Sequence, residues 1–294
     1  MPIAKFPERM LRFFAFWTIY TLLVLISLLP VKFLKNTLGK ILYKLCYSIF
    51  RYRYPVIIQN LSRCFPEKSY EAIKQTASAF YVHLSVFIIE TVKLFSVSKK
   101  EMLRNVEITN PEIITYYYQQ KRDVIVMLGH YGNWEYLNIL PGMIPYEVNA
   151  IYKPLTNKVM GKLIYKLRTR FGMQMLPASR ALRILLRKNN KPRLTLFLAD
   201  QFPGADAKCI LNFMNQPTNL FTGAEKLAKV SNSVVLYLEI INKHGNGYEF
   251  KFSLITDCTE RMGENEITQS FICKLEERIC SEPAQWLWSH RRWK

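Results

Sequence analysis

Nineteen consecutive residues near the amino terminus, Phe13–Val31, carry no formal charge. A helix rising about 1.5 Å per residue would carry such a run roughly across a ~30 Å hydrocarbon core. The chain must therefore bury this run or give it to a membrane. A cleaved secretory signal is the rival reading, but its apolar region is usually shorter and ends on small residues. Here the run leads into LLPVKFLK, so an uncleaved anchor is expected. Trp17 and Tyr20 suit an interface, and Pro30 with the aromatics also suits a helix lying among headgroups. Lys5, Arg9 and Arg12 precede the run, and Lys32, Lys35, Lys40, Lys44, Arg51 and Arg53 follow it. The heavier following flank predicts that the remainder of the chain faces the cytoplasm behind a single anchor.

The charge balance names a class of partner. Lys and Arg total 41 against 22 acids, a net +19, which calls for an anionic partner such as a lipid surface, an acidic protein or nucleic acid. No P-loop, GxGxxG or nucleic-acid module accompanies those cations, so nucleic acid is not expected. Six scattered cysteines without a CxxC, and histidines far apart in sequence, read as reduced thiols with no metal site. Half the residues are apolar, which excludes a disordered chain.

Two regions follow: 1–50, an anchor continuing into an interfacial helix over 33–50, and 51–294, one further domain. Ser69 is placed to cap a helix reaching Phe95. Strands are expected over 123–128 and 193–199, with a hairpin of 233–242 and 248–256. Helices are expected over 157–170, 179–189 and 222–230. This alternation predicts an α/β domain.

The strongest local signal is His130-Tyr131-Gly132-Asn133-Trp134-Glu135. A strand delivers a histidine into a glycine-containing turn, Asn133 suits a helix N-cap, and Glu135 falls in the first helical turn. From there its carboxylate is expected to hold one imidazole nitrogen, leaving the other as a base. No GxSxG occurs, so such a dyad must activate the substrate's hydroxyl or a water. Taken alone, the pair also suits a purely structural turn. Beyond it, Lys153 stands beside Pro154, and Lys158, Lys162, Lys166 and Arg170 recur every four residues with no acid between Lys153 and Arg193. Such a stripe repels itself unless it is screened by an anion. Asp200-Gln201 ends a strand where open α/β sheets bind ligands. The tail WLWSHRRWK suits either an interface or packing on the domain.

With these motifs in order, the chain resembles the late acyltransferases of lipid A biosynthesis, the lauroyl/myristoyl transferase type. The resemblance rests on the apolar amino terminus, NLSRCFPEKS at 60–69, GHYGNWE at 129–135, YKP at 152–154, RFG at 170–172, ADQ at 199–201, FTGAEKLAK at 221–229 and the tail. It implies a glycerolipid-acyltransferase-like mixed sheet flanked by helices, at the bacterial inner membrane. It also implies acyl transfer from an acyl carrier protein thioester, or acyl-CoA, to a hydroxyl of a lipid A precursor, with no cofactor. His130 would be the base and Glu135 its orienting partner. Lys153, Arg170, Asp200, Gln201 and Asn133 would bind or position substrate, Arg170 at a phosphate or the oxyanion. The competing readings are an acyltransferase for another membrane glycolipid or lysophospholipid, and a non-catalytic lipid-binding protein.

Overall fold

A computed structural model describes residues 5–187, 189–204, 209–243 and 247–293; the turn expected around His244 lies outside them. Helix α1 (Lys5–Ser27) holds most of the uncharged run. Pro30 follows it, and the chain continues as α2 (Val31–Leu34), a π-helical turn Lys35–Gly39, α3 (Lys40–Tyr43) and a second π-helical turn Lys44–Ile49. The helix expected over 33–50 is therefore present, with its register altered twice.

Helices α4 (Tyr54–Cys64), α5 (Tyr70–Lys93) and α6 (Lys99–Asn105) come next. Ser69 caps α5 by accepting from the Ala72 N–H. By length and hydropathy alone α5 passes as a second candidate membrane span. In the fold it buries Ile73, Ala77, Phe80, Tyr81 and Ile89 and serves as a core helix.

The remaining elements are β1 (Val106–Ile108), α7 (Pro111–Gln119), β2 (Val124–Leu128), a 3-10 helix Trp134–Gly142, β3 (Glu147–Tyr152) and α8 (Lys158–Arg168). After them come β4 (Gln174–Pro177), α9 (Ala178–Leu185), β5 (Arg193–Leu198), β6 (Cys209–Phe213), β7 (Gln216–Leu220), α10 (Gly223–Ser231), β8 (Val234–Asn242), β9 (Tyr248–Thr256) and α11 (Glu266–Ser281). Seven strands form one mixed sheet in the order β1-β9-β8-β2-β5-β3-β4, and β6 and β7 make a separate hairpin. Within the sheet only the β8–β9 pair is antiparallel.

Strand β2 is buried along its whole length, as a parallel strand covered on both faces requires. Its residues divide with period two. Ile125 and Met127 join one core with Leu275 of α11 and Trp286 and Trp288 of the tail. Val124, Val126 and Leu128 join the other with Leu163 and Leu167 of α8.

Helix α1 is not a detached tether. Phe16 is buried beneath Lys162 of α8, whose ammonium lies 4.2 Å from the ring centroid. Lys166 sits 4.2 Å from the ring of Tyr20. Lys93 and Ser96 bond the carbonyl of Ser27. On the other side Phe13, Phe14, Leu22 and Leu25 are exposed, an apolar face suited to lipid.

Candidate active site

Strand register brings the central pair together. Leu128 of β2 is level with Leu198 of β5, and the Ala199 N–H bonds the Leu128 carbonyl, so positions 130 and 200 lie side by side two residues beyond adjacent parallel strands. The crevice beyond the carboxyl ends of such strands is where open α/β sheets bind ligands. Gly129 permits the close approach: a Cβ there would stand 2.6 Å from Leu275 Cδ1. Gly132 takes φ +64°, a turn conformation that side chains resist.

His130 Nδ1 lies 2.6 Å from Asp200 Oδ1. The same carboxylate accepts from the His130 backbone N–H and the Trp286 indole N–H, each at 2.8 Å, on Oδ2. Burial works to raise the Asp200 pKa, but the imidazole and these three hydrogen bonds outweigh it and hold it at about 2. An ionised Asp200 accepts only, so Nδ1 carries the imidazole proton and Nε2 keeps its lone pair. The Gln201 amide lies 3.2 Å from Nε2, donating to that lone pair. The His130 side chain is 15% exposed and Asp200 3%, so the imidazole meets solvent while the carboxylate does not. Trp134 stands edge-on to the imidazole at 4.9 Å and packs on Phe87 of α5.

This corrects the expected dyad. Glu135 does not hold the imidazole; both its oxygens face Arg168 of α8, with Nε to Oε2 at 2.9 Å and Nη2 to Oε1 at 2.6 Å. The Trp134 indole also donates to it. The reason is the path of the turn: Gly132 and Asn133 start a 3-10 helix at Trp134, which buries Glu135 against α8. Its bidentate pair fixes the turn that carries His130.

Asn133 does cap that helix, accepting from the Glu135 N–H, and its amide donates to Glu90 of α5. Glu90 in turn receives Lys35 at 2.6 Å and the Tyr248 hydroxyl at 2.5 Å. Asn133 is therefore wholly engaged within the fold, and its expected contact with substrate is not supported.

Three members of the basic stripe are likewise committed. Lys162 and Lys166 cover the aromatic rings of α1, and Arg170 donates to the Leu94 carbonyl beside Phe171. Arg170 is thus a strut between α8 and α5, against its expected phosphate or oxyanion role. Lys153, at the end of β3, lines a cavity of about 130 Å³ shared with Tyr152, Tyr165 and Arg168.

The tail packs on the domain. Gly132 N–H bonds the Gln285 carbonyl, Leu287 N–H bonds the His130 carbonyl, and Tyr131 pairs with Trp286 as an antiparallel bridge. The turn that carries His130 thus gains an extra strand-like edge from the carboxyl terminus. His83 of α5 donates to the Gly132 backbone.

Arg168, Glu90 and Trp286 were not foreseen as parts of the site. Arg168 lies two residues short of the stripe's last member, so the four-residue spacing drew attention away from it. Glu90 had one signal, a lone carboxylate in an apolar helix, which demands a buried partner.

Comparison with known proteins identifies the family. The family described as bacterial lipid A biosynthesis acyltransferase matches residues 2–294. The chain is 24% identical to a lipid A biosynthesis lauroyltransferase of Escherichia coli over 99% of its own length and 96% of that protein's. It is 20% identical to a lipid A biosynthesis acyltransferase of Haemophilus influenzae, over 78% of its own length and 72% of that protein's.

Proposed function

Because the chain belongs to the bacterial lipid A biosynthesis acyltransferase family, and is an acyltransferase on that ground, we propose that it carries a fatty acyl group from an acyl carrier protein thioester to a hydroxyl of a membrane-bound lipid A precursor. His130 is the general base and Asp200 its orienting partner. The observation that carries the reading is the 2.6 Å contact between His130 Nδ1 and a buried Asp200 carboxylate.

In the reaction, Nε2 takes the proton of the acceptor hydroxyl, whose oxygen attacks the thioester carbonyl. Gln201 leaves Nε2 as that hydroxyl arrives and then positions it. The tetrahedral intermediate collapses with cleavage of the C–S bond. The departing thiolate recovers the proton from the imidazolium, giving an ester and a free thiol. Asp200 stabilises the imidazolium between these steps. General-base assistance of this type is worth about 10²–10⁴ in rate.

A cavity of about 430 Å³ lined by Cys46, Leu84, Ile88 and Leu287, and also by polar groups that include Arg53 and His290, adjoins the catalytic turn through the Leu287–His130 bond, and we assign the acyl chain to it. Lys153 forms no ion pair among the described residues and is placed to meet an acceptor phosphate. Arg180, Arg183 and Arg187 on and just beyond α9 are exposed and form no ion pair among the described residues, which suits an acidic carrier protein. The exposed face of α1 holds the enzyme at the inner membrane, with the domain on the cytoplasmic side.

Purified enzyme incubated with a lipid A precursor and either acyl carrier protein thioester or acyl-CoA tests this. The carrier thioester is expected to give acylated lipid with wild type and at least a hundredfold less with His130→Ala. Equal activity of the alanine variant refutes the base assignment, and transfer from acyl-CoA alone refutes the donor.

A further inference from the structure

The turn that carries His130 lies against one stripe of α5. His83, Phe87 and Glu90 stand at positions i, i+4 and i+7 of that helix, so they share a face. Each meets a different residue of the turn. His83 donates to the Gly132 backbone, Phe87 packs on Trp134 with ring centroids 4.4 Å apart, and Glu90 accepts from the Asn133 amide at 3.0 Å. Trp134 in turn stands edge-on to the His130 imidazole. Glu90 reaches the same region by a second route: the Tyr248 hydroxyl donates to it, and the Tyr248 ring packs on Tyr136 of the 3-10 helix with centroids 4.6 Å apart. The reaction described above uses none of these α5 residues.

Glu90 is 5% exposed, and the one cation in contact with it among the described residues is Lys35, at 2.6 Å. Lys35 opens the π-helical turn Lys35–Gly39 in the segment that follows α1. Such turns are rare and concentrate at functional sites. The segment rests on α5: Leu34 is buried, Gly39 faces Ile89, and the Tyr43 hydroxyl lies 3.0 Å from that of Ser78. Elsewhere it exposes Val31, Phe33, Ile41 and Phe50, which continue the apolar surface that α1 presents through Leu25 and Leu28. Lys32 and Lys40 are exposed along it. An apolar surface interspersed with lysines fits an anionic bilayer. Lys35 belongs to this segment, keeps 29% of its side chain exposed and reaches inward to Glu90.

We propose that Glu90 is a positioning residue for His130, and that Lys35 makes its grip on the turn depend on an anionic lipid bilayer docked against residues 25–50. The inference rests on the His130 reading given above. Docked lipid removes water from the partly exposed Lys35, and an ion pair strengthens as its surroundings become less polar. The carboxylate is then held at both oxygens, one by Lys35 and the other by Asn133 and Tyr248. Asn133 caps the helix that follows His130, so slack at Asn133 is slack in the turn. A misplacement of about 1 Å can cost about 10²-fold in rate, even when its source is far from the chemistry. Off the bilayer the enzyme keeps its fold, with a looser turn and a lower kcat.

The test uses the full-length enzyme with acceptor at one mole fraction in two settings: micelles of a nonionic detergent, and phosphatidylethanolamine vesicles carrying phosphatidylglycerol. Wild-type kcat is expected to be about tenfold higher on the vesicles, with KM little changed. Lys35→Met and Glu90→Gln should each lose most of that gain, and Lys35→Arg should keep it. Lys40→Met removes one exposed charge from the same segment without touching Glu90, and should also keep the gain. Hydrogen exchange supplies a readout independent of the reaction. The amides of residues 132–136 should exchange more slowly in wild type on vesicles than in micelles, and at the faster rate in both settings in Lys35→Met. Equal wild-type kcat and exchange in the two settings, or equal losses in Lys35→Met and Lys40→Met, overturns the proposal. If Lys35→Met does not accumulate folded, the Lys35→Met/Glu90→Gln double variant, which buries no lone charge, decides: absence of the vesicle gain supports the proposal, and a gain like that of wild type overturns it. Full activity in His130→Ala would instead sink the catalytic reading, while the exchange comparison would still decide whether Lys35 and Glu90 hold the turn.

Discussion

Asp200→Asn separates the two carboxylates that compete for the role of imidazole partner. Asparagine keeps the shape, and its carbonyl oxygen can still accept from Trp286 and the His130 backbone. Its amide must then donate toward Nδ1. That reverses the tautomer, placing the proton on Nε2 and removing the lone pair that attacks the acceptor proton. A similar tautomer reversal in a serine protease costs about 10⁴ in kcat, so a loss of about 10³–10⁴ with little change in KM is expected here. Stability changes as well. The carboxyl pKa is lowered from 3.8 to about 2 in the fold, which corresponds to about 2 kcal/mol of stability at neutral pH. Because the folded pKa is the lower one, this contribution is complete above the unfolded value and is lost as pH falls through 3.8 toward about 2. Wild type should therefore lose stability over that range more steeply than Asp200→Asn. Steady-state acyl transfer and melting curves at pH 7 and pH 3 provide the readouts. Near wild-type kcat in Asp200→Asn, alongside complete loss in a well-folded Glu135→Gln, would return the orienting role to Glu135 and refute this reasoning.

Arg168→Ala should cost about 3–5 kcal/mol in thermal unfolding, because it strands a buried Glu135 carboxylate; Arg168→Lys should recover only part, lacking the planar fork. Loss of less than 1 kcal/mol in the alanine variant would show that the pair does not hold the turn. Gly129→Ala should destabilise by about 1–3 kcal/mol through the clash with Leu275 Cδ1, and Leu275→Ala in that background should recover activity that Gly129→Ala loses. Failure of the second change to help would contradict the packing argument. Replacing Phe13, Phe14, Leu22 and Leu25 of α1 with glutamine should shift the protein from the membrane to the soluble fraction on centrifugation; unchanged membrane recovery would mean that another surface carries the attachment.

Much of the fold was legible in one sequence because the central strands are fully covered. Runs such as Val124–Leu128 and Arg193–Leu198 are bounded by turn residues, and no amphipathic compromise blurs them. Strand β4, four residues long, and the β6–β7 hairpin carry too little periodic signal to stand out. The candidate base and Asp200 were both legible as residues just beyond strand ends. Their pairing was not, because it depends on β2 and β5 being neighbours in register, a fact set by topology across 70 residues of chain. Sequence proximity favoured Glu135 instead. The cations of α8 misled for a related reason: a stripe of like charge was read as a surface awaiting an anion, whereas two of its members lie over the rings of α1. Cation–π pairing between segments over 140 residues apart leaves no local trace.

The most direct measurement of the central claim is mass spectrometry of lipid A from cells deleted for this gene and for related acyltransferases, complemented with wild type or His130→Ala. The account predicts that the deletion strain lacks one secondary acyl chain, that wild type restores it, and that the alanine variant, present at equal level in the membrane, does not. Lipid A unchanged by the deletion, or restored equally by His130→Ala, would contradict it.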